Sequence, residues 1–161
     1  PIEEEFDGND LVAAHFIGFI GSEPAACLRV RFFGEFAKIE RLAVRHQFRR
    51  SRISFKLVQA SLDYARRKGF KKAYGHAQDR LVNFWAHFGA KPLGHNRKLT
   101  FSDFSYTEMV LDLEPDADAI TLDSDPYLII RPEGDWDRPG VLESSSGRGA
   151  SSPLRTVAVG G

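Results

Sequence analysis

The chain has 161 residues, 42% of them apolar, with 13 Phe and a formal net charge of zero. That length supports one domain with a real core and leaves little room for two. A single cysteine excludes an internal disulfide and a cysteine-rich metal site, and no apolar run reaches the roughly 18 residues of a membrane-spanning helix.

Ala13 to Ile20, β-branched and aromatic and ending at Gly21-Ser22, reads as a strand and turn. Ala25 to Phe33 is a second strand, in which Cys27, Arg29 and Arg31 alternate with Leu28, Val30 and Phe32. Gly34-Glu35 turns the chain into a third strand, Ala37 to Val44, and the short connections predict an antiparallel meander. Ser51 to Lys68 has apolar residues at helical spacing (Ile53, Leu57, Val58, Ala60, Tyr64, Ala65) and stops at Gly69. Lys71 to His76 is a short strand, Arg80 to Phe88 a helix closed by Gly89, and Thr107 to Leu113 a final strand. The order βββ-α-β-α-β predicts an α/β fold, an α+β mixed sheet with crossover helices. From Glu114 the composition shifts: 114–141 reads as an acidic extension with one short apolar run, and 142–161 as a disordered tail.

Charge is distributed unevenly. Residues 29–72 hold 14 Lys/Arg against 3 acids, and residues 101–137 hold 11 acids against Arg131 alone. A basic middle suits an anionic ligand or partner, although the same charges could simply pair with the acidic segments. Nucleic acid has only this charge in its favour, without aromatic–basic interleaving or a helix-turn-helix pattern. Cys27, within Ala25-Ala26-Cys27-Leu28, reads as a small buried hydrophobe. The five histidines lack ligand spacing, so no metal is assigned. No signal peptide is visible, which points to the cytoplasm.

The basic turn after the third strand, Arg49-Arg50-Ser51-Arg52-Ile53-Ser54, opens a helix, so backbone amides and the helix dipole converge there as an anion site. Glu40-Arg41-Leu42-Ala43-Val44 precedes that turn, and Gln78 to Gly94 resembles the segment Asn-x-x-Ala-x-x-Leu-Tyr-x-x-x-Gly-Phe. In this order the motifs resemble the GNAT acyltransferase superfamily over about residues 11–113, with 13–113 as the acyltransferase domain. That fold's opening strand and two helices would fall before Ala13. Residues 1–12 then read as a remnant of an N-terminal segment and the chain as a fragment. The family's loop is usually Arg/Gln-x-x-Gly-x-Gly/Ala; here Arg52 and Ser54 stand at the glycine positions.

The resemblance implies direct attack of an amine on a thioester, with acetyl-CoA or another acyl-CoA as cosubstrate and a small-molecule or peptide amine as acceptor. It implies that the backbone of Leu42, Ala43 and Val44 holds the pantetheine arm. The turn from Arg49 through Arg50, Ser51, Arg52 and Ile53 to Ser54 would hold the pyrophosphate. Gln78 and Trp85 would touch the cofactor. Trp85 replaces a tyrosine that serves as an acid in many relatives, and an indole N–H lacks that acidity. Glu40, a mid-strand carboxylate on the face expected to hold Leu42 and Val44, is the candidate base; a structural ion pair with an arginine is the competing reading. Arg41 is expected on the opposite face. N-acyl amino acid and acyl-homoserine-lactone synthases carry Glu-x-Ser-Arg-Phe/Leu-Ala here; Arg41, Leu42 and Ala43 match, and Lys38 and Glu40 do not. That resemblance, with the glycine-poor loop, offers an acyl carrier protein as alternative donor. A non-catalytic GNAT binding module is the third reading, and a homodimer a further expectation.

Overall fold

A computed structural model of the chain describes residues 6–95, 97, 99–101 and 103–145. Three strands open it: β1 (Ala14–Ile20), β2 (Glu23–Phe32) and β3 (Ala37–Val44). Helix α1 (Ile53–Arg67), β4 (Lys72–Gln78) and the short α2 (Val82–Ala86) follow, then β5 (Lys91–Pro92), β6 (Leu99–Phe101) and β7 (Phe104–Asp112). The sheet runs β1-β2-β3-β4-β7-β5, with β6 also on β7. Among the described residues only β3 and β4 run parallel. The expected mixed sheet is therefore present, together with two short strands the pattern did not reveal. Two or three residues, one of them Pro92, are too few to show alternation.

Helix α1 forms because its apolar residues recur on one face: Leu57, Val58, Leu62 and Ala65 are buried, with Ser61 between them. They pack on Leu28 and Val30 of β2 and on Ala37 and Ile39 of β3, the core of the domain. The helix ends in the two bonds of a Schellman turn, Gly69 N–H to Arg66 and Phe70 N–H to Ala65, with Gly69 at φ 82°, where a side chain would be strained. The expected helix over 80–88 is shorter, a 3-10 turn at Asp79–Leu81 leading into α2.

The acidic segment after β7 does not leave this unit at once. The amides of Asp116 and Ile120 donate to the carbonyls of Arg66 and Arg67, and Asp118 pairs with Arg67. The chain divides after Thr121 into a second unit, Leu122–Gly161. There Asp125 caps helix α3 (Pro126–Ile129), Arg131 pairs with Glu143 at 2.9 Å, and Trp136 is buried. Of the expected disordered tail, residues 142–145 belong to helix α4 (Val141–Ser145), and 146–161 lie outside the described residues. Among the described residues, no helix is long and apolar enough to cross a membrane.

On the face of the sheet away from α1, Arg29 is 3% exposed. Its Nη1 donates to Asp7 at 2.8 Å and to Asp10 at 2.7 Å, and its Nε donates to Glu40 at 3.1 Å. These bonds tie the segment before β1 to the middle of the sheet. Hydrogen bonds from the guanidinium hold the carboxyls of Asp7 and Asp10 below the usual carboxylate range. A depressed carboxylate stabilises the fold fully above its unfolded pKa, near 4, and that contribution fades as pH falls towards the folded value. Melts between pH 7 and pH 2 should show wild-type stability dropping below about pH 4. The pair Asp7→Asn and Asp10→Asn should be less stable at pH 7 and flatter in the acid. An unchanged acid limb would rule the network out as its source.

Candidate functional site

β3 and β4 are in register only at Ala37–Ala73 and Lys38–Tyr74. Gly75 still lies close to β3: a Cβ there would stand 3.0 Å from the Ile39 carbonyl oxygen. Beyond it the strands part, so among the described residues the β4-facing backbone of Leu42 to Val44 has no ladder partner on that side. The parting leaves a slot between the two strands. On the α1 side lies an apolar cavity of about 20 Å³ bordered by Ile39, Val58, Gly75, Trp85 and Phe88. On the opposite face stand the polar side chains of β2, β3 and β4.

One irregularity decides which side chains face which way. Arg29 pairs with Glu40 and Cys27 with Ala43, so Leu28 alone opposes both Arg41 and Leu42. This is a β-bulge, and Arg41 sits in it at φ 58°. Leu42 and Val44 consequently pack on the α1 core, whereas Glu40 lies on the other face with Arg29. The expectation that Glu40 shares a face with Leu42 and Val44 is corrected, because the extra residue resets the alternation. Arg41 is likewise not opposite Glu40: its Nη2 lies 3.5 Å from Asp7, within the same network. Cys27, expected to be buried, is exposed, since it shares the outward face with Arg29.

The Glu40 carboxylate is heavily engaged. Besides Arg29, Lys38 Nζ lies 2.8 Å from it and Arg31 Nη1 3.8 Å. The ion-pair reading of Glu40 has direct geometric support. On β4 the same outward face carries Tyr74, His76 and Gln78. Gln78 donates to Tyr106 Oη at 3.3 Å and accepts from Arg80 at 2.8 Å. Trp85 packs against the helix-side core, edge-on to Phe84 with ring centroids 5.4 Å apart. Gln78 and Trp85 thus lie on opposite faces of the sheet.

The basic turn leads into α1 as expected. Arg49, Arg50, Ser51 and Arg52 are exposed, and Ile53 and Ser54 begin the helix half-buried. Ser51 donates to the Phe48 carbonyl at 2.6 Å. Among the described residues no side chain caps the helix, and its first turn holds no acid; the first amides of any helix lack intrahelical acceptors. Cations at a helix N-terminus oppose the dipole, and here three arginines gather there. Elsewhere in the basic middle several cations are paired: Arg29 with Asp7, Asp10 and Glu40, Arg66 with Asp63, Arg67 with Asp118 and Lys72 with Asp112. Among the described residues Arg49, Arg50 and Arg52 form no ion pair. Arg52 leans over the Phe55 ring at 5.8 Å, beside an open cleft of about 640 Å³ bordered also by Lys56, Gln59 and His87.

Arg52 has φ 62° and ψ 10°, the left-handed conformation. A glycine takes that conformation without the roughly 1–2 kcal/mol cost of a side chain, which explains physically why the resembling loop has glycine there. Arg52→Gly should raise stability by about 0.5–1 kcal/mol, the strain relief less the added freedom of the unfolded chain. A thermal melt checks this, and a lowered melting temperature would contradict the strain.

Sequence reasoning missed Asp7, Asp10, Arg29, Tyr74, His76 and Glu108 as members of this region. The alternation of Tyr74 and His76 against Ala73 and Ala77 was the available signal for the β4 pair.

Comparison with known proteins supports the same fold. Residues 2–90 match the family model described as the acetyltransferase (GNAT) family. Escherichia coli ElaA aligns at 24% identity and TM-score 0.59, covering 67% of this chain and 75% of that one. An acyl-CoA N-acyltransferase from Pseudomonas aeruginosa aligns at 21% and 0.60, covering 67% and 75%. A GNAT family acetyltransferase from Elizabethkingia anophelis, solved with acetyl-CoA bound, aligns at 16% and 0.56, covering 70% and 82%. With its parted parallel strands, its uncapped basic helix start and a family match over more than half its length, this chain belongs to the GNAT acetyltransferase family.

Proposed function

We propose that the protein is an N-acyltransferase that moves an acetyl or other acyl group from acyl-CoA to an amine. The observation that carries this is the slot between β3 and β4 at the start of α1, with Arg49, Arg50 and Arg52 unpaired among the described residues. The residues fit such a donor. The amides at the helix start and the three arginines suit a pyrophosphate. The unpaired edge of Leu42, Ala43 and Val44 suits the amide-bearing pantetheine arm, and the basic cleft beside Phe55 suits the nucleotide end. Threaded this way, the thioester would emerge by Glu40 on the outward face, where an amine can attack it. Trp85, on the helix side, would pack beside the arm without serving as an acid.

Glu40 keeps a place in this site, but its carboxylate is already committed to Arg29 and Lys38. We assign it the task of fixing those two cations and adding negative charge near the cationic acceptor. Glu40→Gln should then lower stability by about 1–2 kcal/mol and reduce turnover per folded molecule by less than tenfold. A drop of about 10²-fold at an unchanged melting temperature would return Glu40 to the role of base.

The donor is tested by calorimetric titration of acetyl-CoA. Arg49→Ala, Arg50→Ala or Arg52→Ala should weaken binding roughly 5- to 30-fold where the side chain meets phosphate, a loss of about 1–2 kcal/mol. The arginine in place of glycine and the basic rim around it also favour a second donor, an acyl carrier protein with acidic surface. Binding of an acylated carrier without binding of acetyl-CoA would select it. Binding of neither would leave a non-catalytic module.

A further inference from the structure

The outward face of the sheet holds a second cluster of titratable groups beside the slot. Lys38 and Tyr74 are the last paired residues of β3 and β4. Glu40 and His76 therefore each stand two residues further on, on the two sides of the opening. The Tyr74 hydroxyl donates to Glu108 Oε1 at 2.6 Å and lies 2.8 Å from His76 Nε2. Glu108, on β7 and 8% exposed, is gripped by Arg97, whose Nε and Nη2 donate to its two oxygens at 3.0 Å each. An ion pair this close leaves Glu108 ionised and able only to accept.

That chain of bonds fixes the protons. Tyr74 has one hydroxyl hydrogen, and it goes to the Glu108 carboxylate. The Tyr74 oxygen can then only accept from His76, so Nε2 carries the hydrogen and Nδ1 keeps a bare lone pair. A carboxylate behind a phenol behind an imidazole orients the ring and supports positive charge on it, and Phe101 lies alongside with its centroid 6.1 Å away.

We propose that His76 is the general base of the acyl transfer, with Tyr74 and Glu108 as the residues that orient it. This rests on the acyltransferase reading given above. The acceptor arrives as an ammonium and gives one proton to Nδ1. The freed nitrogen pair forms the C–N bond to the thioester carbonyl, and the C–S bond breaks with its electrons on sulfur. The surplus proton on nitrogen passes to the thiolate, leaving an amide and a free thiol, and His76 releases its proton to water.

The electrostatics of the ring agree with the role. Burial, and then the Lys38 ammonium, push the His76 pKa below its ordinary value, while Glu108 and Glu40 pull the other way. Those three act on it among the described residues, and Arg97 does so through Glu108. A lowered pKa leaves the ring neutral at pH 7, as proton removal requires.

The test uses the full chain, acetyl-CoA and a panel of primary amines (spermidine, lysine and a peptide amine), with thiol release as the assay. His76→Gln should cut turnover about 10²-fold, leave acetyl-CoA affinity unchanged, and abolish the acid-side fall in rate expected of the wild type, which the lowered pKa places beneath the ordinary histidine value of about 6.5. Tyr74→Phe, which keeps the ring, should lower turnover less and weaken the tautomer preference. Nitrogen-15 NMR of labelled histidine, assigned against His76→Gln, should show the neutral Nε2–H form at pH 7. Wild-type turnover and pH profile in His76→Gln would overturn the proposal while leaving the acyltransferase reading intact, as would an imidazolium or an Nδ1–H ring at pH 7. Failure of the wild type to bind acetyl-CoA, or to acylate any amine of the panel, would bring down that reading and the role of His76 with it.

Discussion

Arg29 places a permanent positive charge in the middle of a sheet, 3% exposed, and such a charge is tolerable only when its donors are met. The guanidinium is planar with a fixed fork of N–H groups, so its partners must come to it from set directions. Asp7 and Asp10 do so from the segment ahead of β1, and Glu40 from β3. The position of the first described residues, the spacing of β2 and β3 on their outward face, and the aim of Glu40 are all consequences of satisfying this one cation. Removing any carboxylate leaves the charge less well met, whereas removing all four groups together would remove the demand itself.

The second determinant is the brevity of the β3–β4 pairing. A parallel ladder abandoned after two residue pairs leaves backbone groups without partners. The arrangement persists because the rest of the core carries the load, with α1 packed over β2 and β3. The result is a gap in the ladder between β3 and β4. Basic and aromatic side chains gather at its helix end, and ionised and hydroxyl-bearing side chains at the other.

Much of the architecture was legible in the sequence, because helix and strand periods are strong in α1, β1, β2 and β3. The basic turn at 49–54 and its place at a helix start were equally readable. The bulge was not. Glu40-Arg41-Leu42-Ala43-Val44 looks like plain alternation, and nothing local announces that Arg41 takes φ 58°. The Arg29 network was hidden for a different reason: its partners lie 22, 19 and 11 positions away, and pairing at that range is decided by tertiary structure. The acidic stretch after β7 was readable as acidic. Its docking on the last carbonyls of α1 depends on backbone amides, which composition does not reveal. The cluster around His76 draws on β4, β7 and the segment before β6, so no single window of sequence contains it.

The bulge at Arg41 also sets the parity of its strand. An odd residue between Glu40 and Leu42 lets one strand turn Ile39, Leu42 and Val44 inward and still turn Lys38 and Glu40 outward. Substitutions within 38–44 keep that count, so they act one side chain at a time. A deletion of one residue there would change it. Either two apolar side chains would swing to the polar face, or Lys38 and Glu40 would be driven into the core. The length of this stretch is therefore constrained separately from the identity of its side chains.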